Sequence, residues 1–301
     1  MKRKMKRLVM LMLTMSLCFG MVAGCGQNEG EKPNQDAAKD PVKKVMLVVS
    51  FGTSYNDNRD LSIGAIETAL QDAYPDYEIR RAFTSQIIID ILAERDKLVI
   101  DNVTEAMDCL VADGIKDVVI QPTHVMSGFE YDDVIAEVTP YKDKFDSFKI
   151  GSSLLSSDAD YAELVGIITD ETTAYNRDDT AIVFMGHGTH HEANSTYAKL
   201  QQVLSDGGHN NYFIGTVETE PDLEVVMPLV KDSGASKVVL LPLMIVAGDH
   251  ATNDMAGDEE DSWKSAFEAE GFEVECVLKG LGQYPGVQQM IVKHAAAAIA
   301  K

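Results

Sequence analysis

Histidine and glutamate side chains stand at three points in the second half of the chain, each just after an apolar segment. His187 lies in the motif GHGT, His250 lies in DHATND, and Glu218 and Glu220 lie in TVETE. Taken singly, each has a plain alternative: a turn histidine bonded to backbone, a surface histidine and a solvated acid. The carboxyl ends of parallel strands are, however, where open α/β sheets place ligands. We therefore predict that these side chains converge.

Two imidazoles and one carboxylate form a donor set that suits Co²⁺, Zn²⁺, Fe²⁺ or Ni²⁺. Three protein donors leave positions for a substrate to complete the coordination, which is typical of a catalytic or transfer site. The choice between Glu218 and Glu220 stays open at this point, because residues two apart in an extended segment face the same way.

The elements that must position these donors are strands alternating with amphipathic helices. A continuous apolar run such as residues 45–49 is typical of a strand covered on both faces. We predict strands at residues 45–49, 77–83, 118–120, 180–185, 212–217 and 237–241, and helices at residues 61–73, 99–112, 197–204, 223–231, 263–270 and 288–300. This alternation favours an α/β fold with parallel sheets and right-handed crossovers.

The two halves of the body resemble each other. Residues 48–53 match residues 184–189, and residues 118–122, followed by Gly128, match residues 238–242, followed by Gly248. The second match sets Glu130 opposite His250. We interpret this as an internal duplication that gives two similar lobes, residues 43–150 and 151–301, with the active cleft between them.

The beginning of the chain has the pattern of an exported lipoprotein. Residues 2–7 contain five cations and no acid, residues 8–23 are apolar, and small residues precede Cys25. This predicts a signal peptide at residues 1–24. Cys25 is the predicted lipidation site, and residues 25–42 are too polar to bury a core, so they form a tether. The expected location is the outer side of a bacterial cell membrane.

The charge balance argues against nucleic acid as a partner. Without the predicted signal peptide, 21 Lys and Arg remain against 48 Asp and Glu, a formal charge of about −27. Neutralisation of phosphates supplies most non-specific affinity for nucleic acids, and this chain cannot provide it. The sequence is compatible with an oligomer but does not specify one.

In its ordered motifs, the chain resembles the anaerobic (class II) sirohydrochlorin cobaltochelatase family over residues 43–300. The motifs that carry the resemblance are LVVSFGTSY (47–55), AFTS (82–85), QPTH (121–124) with Gly128 and Glu130, MGHGT (185–189), GTVE (215–218) and GDHATNDM (248–255). The resemblance implies two α/β lobes around a tetrapyrrole cleft. By position it implies His187, Glu218 and His250 as metal ligands, which selects Glu218 over Glu220.

The implied activity is insertion of Co²⁺ into sirohydrochlorin, as in cobalamin biosynthesis, with release of two pyrrole protons. We assign His187 as ligand and proton acceptor, because a neutral imidazole suits that task at physiological pH. Two other functions remain open: an exported haem-binding or ferrochelatase-like lipoprotein, and a metal-binding lipoprotein of a transporter.

Several further residues are candidates for contact with the tetrapyrrole. The first-lobe candidates follow the matched motifs and are Phe51, Gly52, Thr53, His124 and Glu130. A positive patch for substrate carboxylates could be formed by Arg80, Arg81 and Lys279. His190 and His191 follow the GHGT turn closely enough to touch a metal ion or the substrate, but the expectation is that they face solvent, and His294 is expected at the surface.

Overall fold

The molecule contains two four-stranded sheets, each parallel throughout, in a computed structural model that describes residues 44–301. The first sheet has the order β2-β1-β3-β4 and the second the order β6-β5-β7-β8. The strands are β1 (Lys44–Ser50), β2 (Glu78–Phe83), β3 (Asp117–Pro122), β4 (Ser147–Ile150), β5 (Thr180–Gly186), β6 (Tyr212–Thr216), β7 (Lys237–Pro242) and β8 (Glu273–Cys276). The identical strand orders confirm the predicted fold class of two similar α/β lobes.

Helices cover both faces of each sheet. They are α1 (Asn56–Arg59), α2 (Ala65–Ala73), α3 (Gln86–Asp96), α4 (Val103–Ala112), α5 (Phe129–Val138), α6 (Asp158–Glu171), α7 (Ser195–Asp206), α8 (Leu223–Asp232), α9 (Trp263–Ala269) and α10 (Pro285–Ile299). Two π-helical turns (Asp60–Gly64 and Ala251–Met255) and three 3₁₀ turns (Thr139–Lys144, Glu192–Asn194 and Leu281–Gln283) connect them. None of the helices in residues 44–301 has the length and hydropathy needed to cross a membrane.

The central strands β1 and β5 have uninterrupted apolar interiors, residues 45–49 and 181–185, because both of their faces are buried. In β1, Met46 and Val48 enter a core shared by the two sheets, whereas Val45, Leu47 and Val49 pack outward against α4 and α5. Burial on both faces is the condition under which a strand loses its polar–apolar alternation. The shared core makes the base of the two lobes one continuous hydrophobic unit.

The last helix crosses the predicted lobe boundary. Helix α10 belongs to residues 151–301, yet it packs against α2, β3 and β4 of the first lobe as well as against α6. Its apolar residues Met290 and Ile291 lie in the shared core. By packing, α10 therefore belongs partly to the first lobe, while the division of the chain near residue 150 stays a prediction. The predicted signal peptide, Cys25 and the tether lie outside the described residues.

Candidate metal centre and interlobe cleft

The three predicted ligands meet at the carboxyl edge of the second sheet. His187 follows β5, Glu218 follows the neighbouring strand β6, and His250 follows β7 on the other side of β5. One ligand atom from each of the three lies within 4.8 Å of the others. His187 and Glu218 are exposed and His250 is half-buried. Glu218, and not Glu220, is the carboxylate of this cluster.

This spacing is close to what a first-row metal ion requires. Imidazole nitrogens and carboxylate oxygens bind Zn²⁺ at about 2.0–2.2 Å, so tetrahedral donors stand roughly 3.4 Å apart. Donor atoms 4.8 Å apart would have to approach each other by about 1.4 Å to hold such an ion. Because two of the donors are exposed, the cluster is open to a large ligand.

The glycines of the GHGT motif have separate packing roles. A Cβ on Gly186 would stand 2.3 Å from Cε1 of Tyr197, a buried residue of α7. Gly188 has a φ of +88°, and a Cβ there would stand 2.7 Å from the Thr219 hydroxyl oxygen. Both positions exclude larger side chains, since backbone conformation and neighbouring atoms leave no room.

Backbone hydrogen bonds join the loop of His187 to the loop of Glu218. The amide of Glu218 donates to the carbonyl of His187 at 2.9 Å, and the amide of Val217 donates to the carbonyl of Gly186 at 3.1 Å. The Asn194 side chain accepts from the Thr219 hydroxyl at 3.0 Å. These bonds extend the β5–β6 pairing beyond the sheet and fix the two donors relative to each other.

Both imidazoles present the same nitrogen to the cluster. Nδ1 of His187 donates to the carbonyl of Gly188 at 2.8 Å, and Nδ1 of His250 donates to the Asp254 carboxylate at 2.7 Å. A carbonyl or carboxylate oxygen can only accept, so the proton of each neutral ring is on Nδ1. The lone pair on Nε2 is then left for a metal ion. The centroids of the two rings lie 4.7 Å apart, and the ring planes are inclined at 84° to each other.

Contacts between the lobes show that the carboxyl ends of both sheets face one cleft. The Tyr55 hydroxyl donates to Asp249 at 3.2 Å. On the other side, His191 lies 3.4 Å from the Asp132 carboxylate, and its ring meets the Phe129 ring edge-to-face at 4.8 Å. The expectation that His191 faces solvent is therefore wrong, because its side chain is only 18% exposed beneath α5. His190 is exposed, as expected.

The first-lobe candidates differ in accessibility. Phe51 directly follows β1 and is 45% exposed. Gly52 has a φ of +102° and packs against the Phe83 ring, and Thr53 is buried with its hydroxyl oxygen accepting from the Tyr55 amide. Only Phe51 of these three offers an exposed side chain to a ligand.

His124 and Glu130 form a second titratable pair across the cleft from the cluster. The His124 side chain is 8% exposed, and neither ring nitrogen has a hydrogen-bond partner among residues 44–301. Burial lowers the pKa of His124 to about 4. Its Nε2 lies 3.6 Å from the Glu130 carboxylate, whose pKa is raised by burial and pulled back down by nearby His187.

The proposed positive patch does not form. Arg80 pairs with Glu78 and Asp113, and Arg81 pairs with Glu67. Lys279 pairs with Glu171. His294, which was expected at the surface, is instead buried, and its Nε2 lies 3.0 Å from the Asp160 carboxylate. The arginines lie within β2 rather than after its carboxyl end, so local acids neutralise them away from the cleft.

The two-lobed fold is shared with known chelatases. The structure of SirB from Bacillus subtilis with Fe³⁺ superimposes with a TM-score of 0.56 at 11% identity, covering 86% of this chain and 96% of that one. At this identity the likeness defines the fold alone. The fold is that of the two-lobed α/β chelatases.

Sequence comparison identifies the family within that class. The model of the cobalt chelatase (CbiK) family matches residues 44–300, and the chain belongs to this family. It is 40% identical over 253 residues to the sirohydrochlorin cobaltochelatase of Salmonella typhimurium, covering 84% of this chain and 95% of that protein. It is 32% identical over 276 residues to the sirohydrochlorin cobaltochelatase CbiKC of Nitratidesulfovibrio vulgaris, covering 91% and 96%.

Proposed function

We propose that this chain inserts Co²⁺ into sirohydrochlorin and that His187, Glu218 and His250 hold the metal ion before transfer. The observation that carries the proposal is the convergence of these three donors within 4.8 Å at one edge of the second sheet. Its support from comparison is the 40% identity to a sirohydrochlorin cobaltochelatase over nearly the full length of that protein.

In the proposed reaction, Co²⁺ replaces two protons on the pyrrole nitrogens of the macrocycle. Each N–H bond that breaks leaves its electron pair on nitrogen, and that pair forms the new bond to the metal. His187 accepts a proton through Nε2 once its bond to the departing metal is broken. The Glu218 carboxylate offsets the charge of the incoming cation, and His250 holds the ion until the macrocycle nitrogens replace the protein donors.

The reaction requires a flat ligand between the lobes. The exposed Phe51 ring offers an apolar surface on the side of the first lobe, while the donor cluster lies on the side of the second. Glu130 is a first-lobe carboxylate whose pKa is lowered in part by nearby His187, against the larger effect of burial. We assign it to the second proton, because general acid–base groups must lie within reach of the proton that they accept.

The decisive experiment follows the absorption bands of sirohydrochlorin on addition of Co²⁺ to the purified chain. The wild type is expected to metallate it with turnover, and His187→Ala to lose about 10²–10⁴-fold in kcat. His190→Ala is the matched control, since His190 is an exposed histidine three residues away. Full activity of His187→Ala would refute the assignment. In a parallel sample with haem, a stable haem spectrum, together with no metallation of sirohydrochlorin, would indicate a carrier. Binding of Co²⁺ with neither haem binding nor metallation would indicate a transporter component.

We also propose that the chain is exported and lipid-anchored through Cys25. The support is the basic segment at residues 2–7, the apolar run at residues 8–23 and the small residues before the cysteine. We expect the mature protein in the membrane fraction, with a mass that shows cleavage before Cys25 and an added diacylglycerol. A Cys25→Ser chain should leave that fraction. An unmodified wild-type chain that retains Met1 would contradict the proposal.

A further inference from the structure

The two imidazoles of the cluster are held by acceptors of different charge. His187 donates from Nδ1 to a neutral acceptor, the backbone carbonyl of Gly188, at 2.8 Å. His250 donates from Nδ1 to a carboxylate, that of Asp254, at 2.7 Å. A hydrogen bond to an ionised acceptor is roughly twice as strong as one between neutral groups. The ring of His250 is therefore held more firmly than that of His187.

The chain builds the His250–Asp254 pair through a local turn. Residues Ala251–Met255 form a π-helical turn, so the carboxylate four residues after His250 returns to the same side of the backbone. Thr252 closes the turn, with its amide and its hydroxyl both donating to the carbonyl of Gly248, at 3.0 and 2.9 Å. The preceding segment is thereby fixed against the carboxyl end of β7.

The neighbouring carboxylate has a different partner set. Asp249 accepts from the Tyr55 hydroxyl at 3.2 Å and from the Asn253 side chain at 2.8 Å. It serves the contact between the lobes, whereas Asp254 faces the metal ligand. Among the acids of this loop, Asp254 is thus the one placed to act on the imidazole.

We propose that Asp254 is a positioning residue that divides the work between the two histidines, an inference that rests on the proposed function. A carboxylate behind a ligating imidazole fixes its orientation and strengthens Nε2 as a donor. His250 is accordingly the holding ligand, which keeps Co²⁺ in the site. His187, with only a carbonyl behind it, is the ligand that releases the ion and receives the pyrrole proton.

The competing explanation is an ordinary ion pair with no effect on the metal. His250 and Asp254 are four residues apart, and their side chains are 32% and 44% exposed. Pairs of this kind contribute little to stability on their own. The two explanations differ in what the carboxylate does to metal binding, and that quantity can be measured without any tetrapyrrole.

The test is titration of the full chain with Co²⁺ alone, followed through the visible absorption of the bound ion. Asp254→Asn is expected to weaken Co²⁺ binding about 10–100-fold, the usual effect of removing a carboxylate behind a ligating histidine. The KM for Co²⁺ should rise by a similar factor, with little change in kcat at saturating Co²⁺. Asp254→Glu should restore part of the affinity. Asp258→Asn, which removes an equal charge from the loop that follows and whose partner is Lys264, is the matched control and should bind like the wild type.

The division of roles has a second, independent readout. His250→Ala should lose more Co²⁺ affinity than His187→Ala, while His187→Ala should lose more kcat at saturating metal. Wild-type affinity in Asp254→Asn, or an equal loss in Asp258→Asn, would overturn the role of Asp254. Greater loss of affinity in His187→Ala than in His250→Ala would overturn the division. A wild-type chain that binds no Co²⁺ would instead contradict the proposed site itself, so the two failures are distinguishable.

Discussion

Substitution of Gly188 separates the strain of a left-handed backbone from the packing that holds the donor cluster together. Gly188 has a φ of +88°, and a Cβ there would stand 2.7 and 2.8 Å from the hydroxyl oxygens of Thr219 and Thr216 and 3.0 Å from the backbone nitrogen of Thr219. Gly208 has a similar φ of +81°, with no atom within 4 Å of the same hypothetical Cβ. Alanine at position 188 or at position 208 would therefore have the same backbone strain. Only alanine at position 188 would also clash with neighbouring atoms.

The expected costs follow from this comparison. Left-handed backbone at a residue with a Cβ costs about 1–2 kcal/mol, so Gly208→Ala should lower the free energy of unfolding by that amount. Gly188→Ala should lose roughly 1–3 kcal/mol more, the usual range for overpacking, because one of the crowded atoms belongs to the backbone and cannot rotate away.

The same clash should affect activity. Moving the His187 loop away from residues 216–219 strains the bond from the Glu218 amide to the His187 carbonyl. A displacement of about 1 Å in a reacting geometry can cost on the order of 10²-fold in rate. We expect a loss of this size in kcat for Gly188→Ala and none for Gly208→Ala, because Gly208 lies before the amino end of β6, away from the cluster.

The assay is urea unfolding followed by far-UV circular dichroism, together with the metallation rate of each variant. Linear extrapolation gives the free energy of unfolding, and an unchanged slope shows that the unfolded states are comparable. Equal destabilisation by the two substitutions, with equal rates, would refute the argument that packing against residues 216–219 places His187.

Two further predictions concern His124, which is buried, and Glu130, whose side chain is 48% exposed. Because burial holds the pKa of His124 at about 4, below its unfolded value, the folded chain should lose stability as pH falls through the range between them. The free energy of unfolding should fall by about 2 kcal/mol between roughly pH 7.5 and pH 5. Urea unfolding at the two pH values measures this loss. The loss should be absent in His124→Leu, which has no imidazole to protonate. Burial raises the pKa of Glu130, so the folded state loses a small amount of stability as the pH rises from the unfolded pKa of this group to its folded pKa; the amount is small because the side chain is half exposed. Glu130→Gln should therefore unfold at a higher urea concentration than the wild type near pH 8, and at the same concentration near pH 4. It should also metallate sirohydrochlorin more slowly. An unchanged metallation rate would exclude Glu130 from proton transfer.

The strands that the sequence predicts are the longer ones, of five to seven residues. The six predicted strands correspond to β1, β2, β3, β5, β6 and β7. The edge strands β4 and β8 were missed because each has only four residues, none of them fully buried. Helix α4 begins at Val103 rather than at residue 99, since Asn102 and Glu105 form a capping box that the sequence already contains.

Four helices have no counterpart among the predicted ones. They are α1, α3, α5 and α6. Helix α5 shows the reason: it carries acids along most of its length and buries only Val134 and Val138, so its apolar periodicity is short. Tertiary packing against the outer face of the first sheet, which a single sequence does not reveal, stabilises this helix.

The convergence of the ligands could be predicted, whereas their supports mostly could not. The donors follow successive strands, and adjacency of those strands brings them together. The partner of His250 was within reach of sequence reasoning, because Asp254 is four residues away. The contact of His191 with Phe129 had no such signal, since it depends on how the two lobes face each other. The same holds for buried His294, whose partner Asp160 lies 134 residues away.

The duplicated scaffold places different chemistry at equivalent positions. The residue directly after the first strand is Phe51 in one lobe and His187 in the other, and each precedes a glycine of positive φ. The residue eight positions after the closing proline of the third strand is Glu130 in one lobe and His250 in the other. The architecture thus conserves where a side chain stands, while the residue type decides what it does.

This asymmetry matches the needs of metal insertion into a flat ring. A metal ion approaches the macrocycle from one face, so an imidazole at the first-lobe position equivalent to His187 would compete for the ion instead of helping to deliver it. An imidazole at position 51 would add such a competing donor, whereas a phenyl ring can only pack against the macrocycle. Phe51→His should therefore raise the affinity for Co²⁺ and lower the metallation rate, and Phe51→Leu, which keeps an apolar side chain, should leave Co²⁺ affinity unchanged. Equal Co²⁺ affinity in the two variants, measured by titration, would show that position 51 does not face the ion.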